Sequence, residues 1–429
     1  LSSFSRPRSA ALASVLLALA AASVPLAAFA EEFNPLGDGS GSNNADLLRD
    51  TSSGCENCPP MPPHEWDAPP FDLEWSVALR GAYVQATGGS YFEAQILPTL
   101  SLTRETMQGS YSVSASADIA RSTFDGPRIE AIRGALGADY QLDANSTIGG
   151  TLDFAVSQAS AKAPGTSPTI ASQPLVISGD GEIEASRQFG QFIVTGRGSI
   201  SRTLYGETTL TDTSTVDNSH QSSWTSAGGL RLGYMISPVL TAFVDASVAH
   251  QTYHAVSPTY LVKFDATDYQ ARTGLSAAWS EVLEAEASVG YGLRQFDEAV
   301  LGQSGALLYD ASITYRPDET VEATGTFATS YGAPGPDSGG TARLEYAAAA
   351  DLAYTVNPWL TLRTSAGASY AQLIGTVDTE TEYSAGVGAD YRLNELATAT
   401  ADYGYTYTEA TASPPEDEHR ITLGVTISR

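Results

Sequence analysis

Between Thr341 and Tyr407 the chain alternates strictly, and few folds tolerate that pattern. In the second of four runs here, Leu362, Thr364, Ala366, Ala368 and Tyr370 fall on one face. Arg363, Ser365, Gly367 and Ser369 fall on the other. The third run sets Tyr383, Ala385, Val387, Ala389 and Tyr391 against Ser384, Gly386, Gly388, Asp390 and Arg392. Successive side chains of a strand point to opposite faces, so a period of two means strand. One face is modestly apolar with aromatics at its ends; the other is polar or very small. A strand reads this way when one side meets lipid between aromatic belts and the other meets water. The inward face of a soluble sandwich more often carries bulkier Val, Ile and Leu.

Hydrophobic residues make up 42% of the 429, enough to bury against something. Beyond the first 30 residues, no stretch reaches the roughly 20 consecutive apolar residues that a spanning helix needs. In a membrane that leaves only a closed barrel, because lipid satisfies no open sheet edge. One large barrel can use this whole length. The net charge of -27 argues against nucleic acid, which basic patches bind. Lys162 and Lys263 are the only lysines, so arginine supplies nearly all the positive charge.

The first 30 residues read as a secretory signal peptide. Arg6 and Arg8 precede an apolar core from Ala11 to Ala22, and Ala28-Phe29-Ala30 is a small-x-small cleavage site before Glu31. Residues 31–70 are rich in Gly, Ser, Asn, Asp and Pro and read as a disordered periplasmic linker. A periplasmic partner docking on this arm is the sharper alternative. Cys55 and Cys58 lie within it, flanked by Gly54, Pro59 and Pro60. They are either a small local disulfide or two idle thiols, since a thioredoxin-like site would require a βαβ context.

From residue 71 to 429 the alternation predicts an all-β domain, a transmembrane antiparallel up-and-down β-barrel of about 18 strands, with 16 as the alternative. The runs are 72–85, 91–104, 109–123, 128–141, 146–160, 174–187, 190–205, 223–235, 239–254, 266–280, 282–296, 304–316, 319–332, 341–355, 359–373, 380–392, 396–408 and 418–428. They suit the 9–11 residues that cross a bilayer at a tilt, with some overhang. Joins after even-numbered runs are short and carry turn residues, as in Ser237-Pro238, Pro317-Asp318 and Asn357-Pro358. Joins after odd-numbered runs are generally longer, as over 161–173, 206–222, 332–340 and 409–417. Short periplasmic turns opposite longer external loops is the asymmetry of outer-membrane barrels. An even count puts both ends of the barrel on the periplasmic side. The loops 161–173 and 206–222 are the candidates for constricting a pore.

Tyr140, Tyr234, Trp279, Tyr315, Tyr354 and Tyr391 close the strands before many of the short turns. They are expected at one level, as a periplasmic aromatic girdle. Turning the apolar set outward fixes the inward set. The expected pore-lining residues are Arg133, Arg197, Arg231, Arg272, Arg294, Arg343, Arg363, Arg392 and Arg420, with Asp118, Asp245, Glu286, Asp310, Glu345, Asp390 and Asp402. Asp139, Glu284, Glu322 and Asp351 share that phase. An arginine on the lipid face would cost about 2–4 kcal/mol at mid-membrane, and almost nothing facing water. A ring of 16–18 strands is too wide for side chains to fill. The charges either set a transverse field in a channel or pair with one another and stiffen the wall.

Nothing points to an enzyme. His250 and His254 share a strand face but stand about 13 Å apart by the strand rise, too far for one metal. No Gly-rich phosphate loop, zinc spacing or EF-hand loop occurs, so neither a metal nor a cofactor is expected.

The entry segment Pro69-Pro70-Phe71-Asp72-Leu73-Glu74-Trp75-Ser76-Val77-Ala78-Leu79-Arg80-Gly81-Ala82-Tyr83 resembles the start of the putative type-2 β-barrel porins of rhizobia and other α-proteobacteria. Leu100-Ser101-Leu102-Thr103-Arg104-Glu105-Thr106 and the closing His419-Arg420-Ile421-Thr422-Leu423-Gly424 fit the same family. The resemblance implies an outer-membrane barrel and carries over no active-site residues. The expected function is therefore a porin-like channel for passive diffusion of small polar solutes, with a mild preference for cations from the acidic excess. The alternative is an accessory or structural barrel, serving surface-polysaccharide export or tethering a periplasmic partner. Expected surroundings are outer-membrane lipid, lipopolysaccharide and the barrel assembly machinery, after export through a cleaved signal peptide.

Overall fold

The computed structural model describes residues 71–123, 128–161, 169–332, 340–411 and 413–429. The signal peptide and linker, with Cys55 and Cys58, lie outside the described residues, as does most of the 161–173 loop.

The strands are β1 (Asp72–Ala86), β2 (Gly89–Thr106), β3 (Gly109–Ser122), β4 (Arg128–Asp143), β5 (Ser146–Ser157), β6 (Ile170–Ser172), β7 (Val176–Phe189), β8 (Phe192–Tyr205), β9 (Glu207–Leu210), β10 (Thr215–Asp217) and β11 (Ser223–Ser237). They continue as β12 (Leu240–Tyr253), β13 (Ala266–Trp279), β14 (Leu283–Phe296), β15 (Gln303–Asp318), β16 (Val321–Gly332), β17 (Ala342–Asn357), β18 (Leu360–Ile374), β19 (Thr379–Arg392), β20 (Ala397–Ala410) and β21 (Ser413–Ser428). Eighteen of them form one antiparallel sheet in which each long strand pairs with its neighbours in sequence. The ring closes where β1 meets β21, from Ser76↔Ser428 to Ala86↔Glu418. All 18 long runs read from the alternation are present, and each pairs with a neighbour on both sides, as a closed ring in lipid requires.

At one rim every turn is short, such as 107–108, 144–145, 190–191, 238–239 and 358–359. The opposite rim carries the long connections, including 158–175, 206–222 and 254–265. One expected loop is a tight turn instead. β20 runs to Ala410 and β21 starts at Ser413, with Ala410↔Ser413 as the last rung. Pro414 and Pro415 hid that extension, because proline argues against strand except at bulges and edges. In the long-loop rim β6, β9 and β10 form a separate three-stranded sheet. Asn218, which is buried, ties it together by donating to Gly206 C=O and Thr208 Oγ1.

The outer surface is apolar throughout its middle height, with Leu79, Ile96, Leu152, Ile183, Leu230, Val244, Val289 and Ile313 all exposed. Buried hydrophobic side chains gather instead toward the long-loop rim, among them Val84, Tyr91, Phe264, Phe296, Leu308 and Leu373.

Candidate functional site

The register carries one set of residues around the ring on a single face. Arg231 lies opposite Asp245, which lies opposite Arg272, which lies opposite Gly290. Arg363 lies opposite Gly388, which lies opposite Asp402, which lies opposite Thr422. That this face is the concave one follows from reach. Arg231 on β11 meets Glu286 on β14 at 2.7 Å, with β12 and β13 between them. Three strand spacings are about 14 Å along the sheet, so the contact closes only across the inside of the curve.

Most inward arginines lie along the wall on carboxylates of neighbouring strands. Arg363 makes a two-pronged contact with Asp390 at 2.7 and 2.9 Å and reaches Asp402 at 2.8 Å. Arg343 joins Glu345 at 3.0 Å and also Glu380. Arg420 joins Glu93 at 3.0 Å and Glu418 at 3.3 Å. Arg272 pairs with Asp310, and Arg197 with Glu184 at 3.5 Å. Arg231 also lies over the Phe243 ring, 3.5 Å from its centroid, a cation–π contact. Arg294 is buried against Asp268 at 3.7 Å. Glycine makes some of these crossings feasible. A Cβ at Gly388 would run into Asp402 Oδ1 and stand 3.3 Å from Arg363 Nη2. A Cβ at Gly290 would stand 2.5 Å from Arg272 Cγ.

Asp245 faces Arg231 and Arg272 in register, yet no ion pair joins it to either. Arg133 is exposed on the same face, and Arg392 sits at the short-turn end of β19. Neither has an ion pair among the described residues. Asp118 Oδ1 is buried with no hydrogen-bond partner among them. Arg133, Asp153 and Asp180 line a hollow of about 420 Å³ with Thr99, Ser101, Ser114, Ser116 and Ser178. Asp153 and Asp180 are direct cross-strand partners.

Sequence reasoning passed over Arg80, Glu93, Asp153, Asp180 and Asp268. The signal for Arg80 was present: Glu74, Ser76, Ala78 and Arg80 alternate with Leu73, Trp75, Val77 and Leu79. Asp268 is likewise in phase with Arg272.

The six aromatics Tyr140, Tyr234, Trp279, Tyr315, Tyr354 and Tyr391 are all exposed near the short-turn ends of their strands. A further outward set lies toward the long-loop ends: Trp224, Tyr269, Tyr291, Tyr370 and Tyr383.

The family Putative beta-barrel porin 2 matches residues 108–429. The chain belongs to this family. As a porin of this kind it is an outer-membrane β-barrel. Three solved structures from Pseudomonas aeruginosa are similar to the porin over 83% of its chain. They are OccK3 (OpdO), 13% identical over 96% of that chain with a TM-score of 0.41; OpdQ, 12% identical over 99% with 0.39; and OpdK with vanillate, 11% identical over 99% with 0.41. No curated protein matches the porin.

Proposed function

We propose that this porin passes small polar solutes by passive diffusion, with a mild preference for cations. The observation that carries the reading is how the arginines are held. Arg231, Arg272, Arg343, Arg363 and Arg420 are laid along the wall on carboxylates instead of reaching across the lumen. Asp139, Asp153, Asp180, Glu182 and Asp245 share the inner face with no ion pair among the described residues. Unpaired carboxylates on a channel wall raise the local concentration of cations. The outward aromatics suit the two lipid interfaces, with lipopolysaccharide on the long-loop side. Entry into the membrane through the barrel assembly machinery and export by a cleaved signal peptide belong to the same reading.

The test is conductance of the pure protein in planar bilayers across a potassium chloride gradient. A reversal potential of cation sign is expected. Zero or anion sign removes the preference, and silence of the folded protein removes the channel. The second reading, an accessory barrel for surface-polysaccharide export or partner tethering, rests on the length and composition of residues 31–70. It predicts little conductance and a periplasmic protein retained by that arm.

A further inference from the structure

The wall is not laddered equally all round. β15 and β16 share the rungs from Ala311↔Phe327 to Tyr315↔Ala323, and then Asp318↔Val321. Both strands run on toward the long-loop rim, where β15 stays paired to β14 and β16 to β17. Between them in that upper part the ladder has no rung for residues 306–310 and 328–332. Side chains bridge the gap. Thr329 Oγ1 accepts from the Tyr309 N–H at 3.1 Å and donates to the Tyr309 C=O at 3.0 Å. Above it the Tyr331 hydroxyl donates to Ser304 C=O at 3.5 Å. The Tyr331 ring lies over Gly292 on β14, where an added Cβ would stand 3.2 Å from it. Elsewhere, parting two strands in hydrocarbon strips backbone groups of partners that lipid cannot replace. At this seam hydroxyl contacts part first.

The seam reaches lipid depth. An apolar band about 25 Å tall, climbed at about 2.5 Å per residue of tilted strand, extends from Tyr315 to roughly residue 305.

Behind Tyr331 is a buried polar patch on the inward-facing phase of β13 and β14. Arg294 is 1% exposed, its guanidinium 6.0 Å from the Tyr331 ring centroid and 5.7 Å from that of Phe296. Arg294 Nε, Asp268 Oδ1 and Tyr253 Oη are buried and have no hydrogen-bond partner among the described residues. Buried polar groups are nearly always satisfied, so each orphan calls for a partner. The three comprise a donor, an acceptor and a hydroxyl able to act as either. The charges of Arg294 and Asp268 already cancel, so a charged guest would leave a buried charge unpaired.

We propose that the β15–β16 seam is a side entrance from the lipid to this patch. It admits a long-chain amphiphile whose uncharged head both donates and accepts hydrogen bonds, as a primary amide does. The chain stays in the hydrocarbon beside Leu307 and Tyr309, and the amide satisfies Arg294 Nε and Asp268 Oδ1 once Tyr331 swings aside. This holds whether or not the lumen conducts.

The test is binding of radiolabelled dodecanamide to the full-length protein in nanodiscs, against empty nanodiscs. Saturable binding of one molecule per barrel is expected, with acetamide and dodecanoate competing at least tenfold more weakly. Arg294→Met should weaken binding at least tenfold. Tyr331→Ala leaves the charged pair in place and should speed association and release at least threefold; it carries the test if Arg294→Met fails to fold by heat-shifted gel mobility. Uptake no greater than by empty discs, equal competition by acetamide, unchanged binding in a folded Arg294→Met, or unchanged rates in Tyr331→Ala overturns the proposal.

Discussion

Arg363 Nη2 lies 2.8 Å from Asp402 Oδ1, a carboxylate on β20, two strands away from β18. The strand between them contributes Gly388 at that level, paired with Arg363 on one side and Asp402 on the other. The guanidinium crosses where a side chain is missing. That glycine keeps a positive charge against the wall.

Replacing Gly388 with valine should therefore release Arg363. The Arg363 side chain is 43% exposed, so the broken contact with Asp402 should cost only about 0.5–1 kcal/mol. The larger effect is electrical. A guanidinium swung into the lumen should lower single-channel conductance and move the reversal potential toward the anion side. Bilayer recordings read both, and an unchanged reversal potential in folded Gly388→Val would show that Arg363 does not shape the field.

Asp153 and Asp180 are direct partners on β5 and β7, and like charges placed opposite destabilise a sheet. The pair is retained at a small cost. Changing both to asparagine should raise urea stability by a few tenths of a kcal/mol and move the reversal potential toward zero. Stability and selectivity thus shift in opposite senses, which a general loosening of the barrel would not produce.

The strands were legible because lipid and water impose a period of two on every stave, and the same rule placed Arg231, Arg272 and Arg363 on one face. What stayed hidden depends on curvature and local irregularity. Nothing along the chain marks Arg231 as the neighbour of Glu286, since their meeting depends on a ring that brings β11 toward β14. Arg80 and Asp268 had the right phase but no repeated context to single them out. The β20–β21 turn was missed because two prolines outweighed the pattern. The β15–β16 seam was invisible because Thr329 and Tyr331 continue the strand alternation while the ladder beside them stops.

The loop sheet at the long-loop rim should resist mild acid. Ser219 donates to Asp217 through its N–H at 2.8 Å and its hydroxyl at 2.9 Å, holding that carboxyl below the usual carboxylate range. A carboxyl whose folded value is lowered contributes stability above its unfolded value, and loses it as pH falls through the folded one. Amide hydrogen exchange over 207–217 should stay constant from neutral pH down to the ordinary carboxylate range, once corrected for intrinsic rates. Protection should then fall progressively as pH drops through that range toward the lowered folded value. In Asp217→Asn the acid step should vanish, and a step retained there would place its origin in another carboxyl.

Val289 and Ser288 are neighbours near the middle of β14 and point to opposite faces. Val289 is 46% exposed on the outside, and Ser288 pairs with Asp310 on the inside. Arginine at 289 should cost about 2–4 kcal/mol, the depth-dependent cost of a lipid-facing guanidinium near the midplane. Arginine at 288 meets water and the Asp310 carboxylate, so it should cost less than about 1 kcal/mol. Reversible unfolding by denaturant in lipid vesicles measures both. Similar losses for the two variants would mean that the faces are not divided between lipid and water, and the channel reading would go with that division.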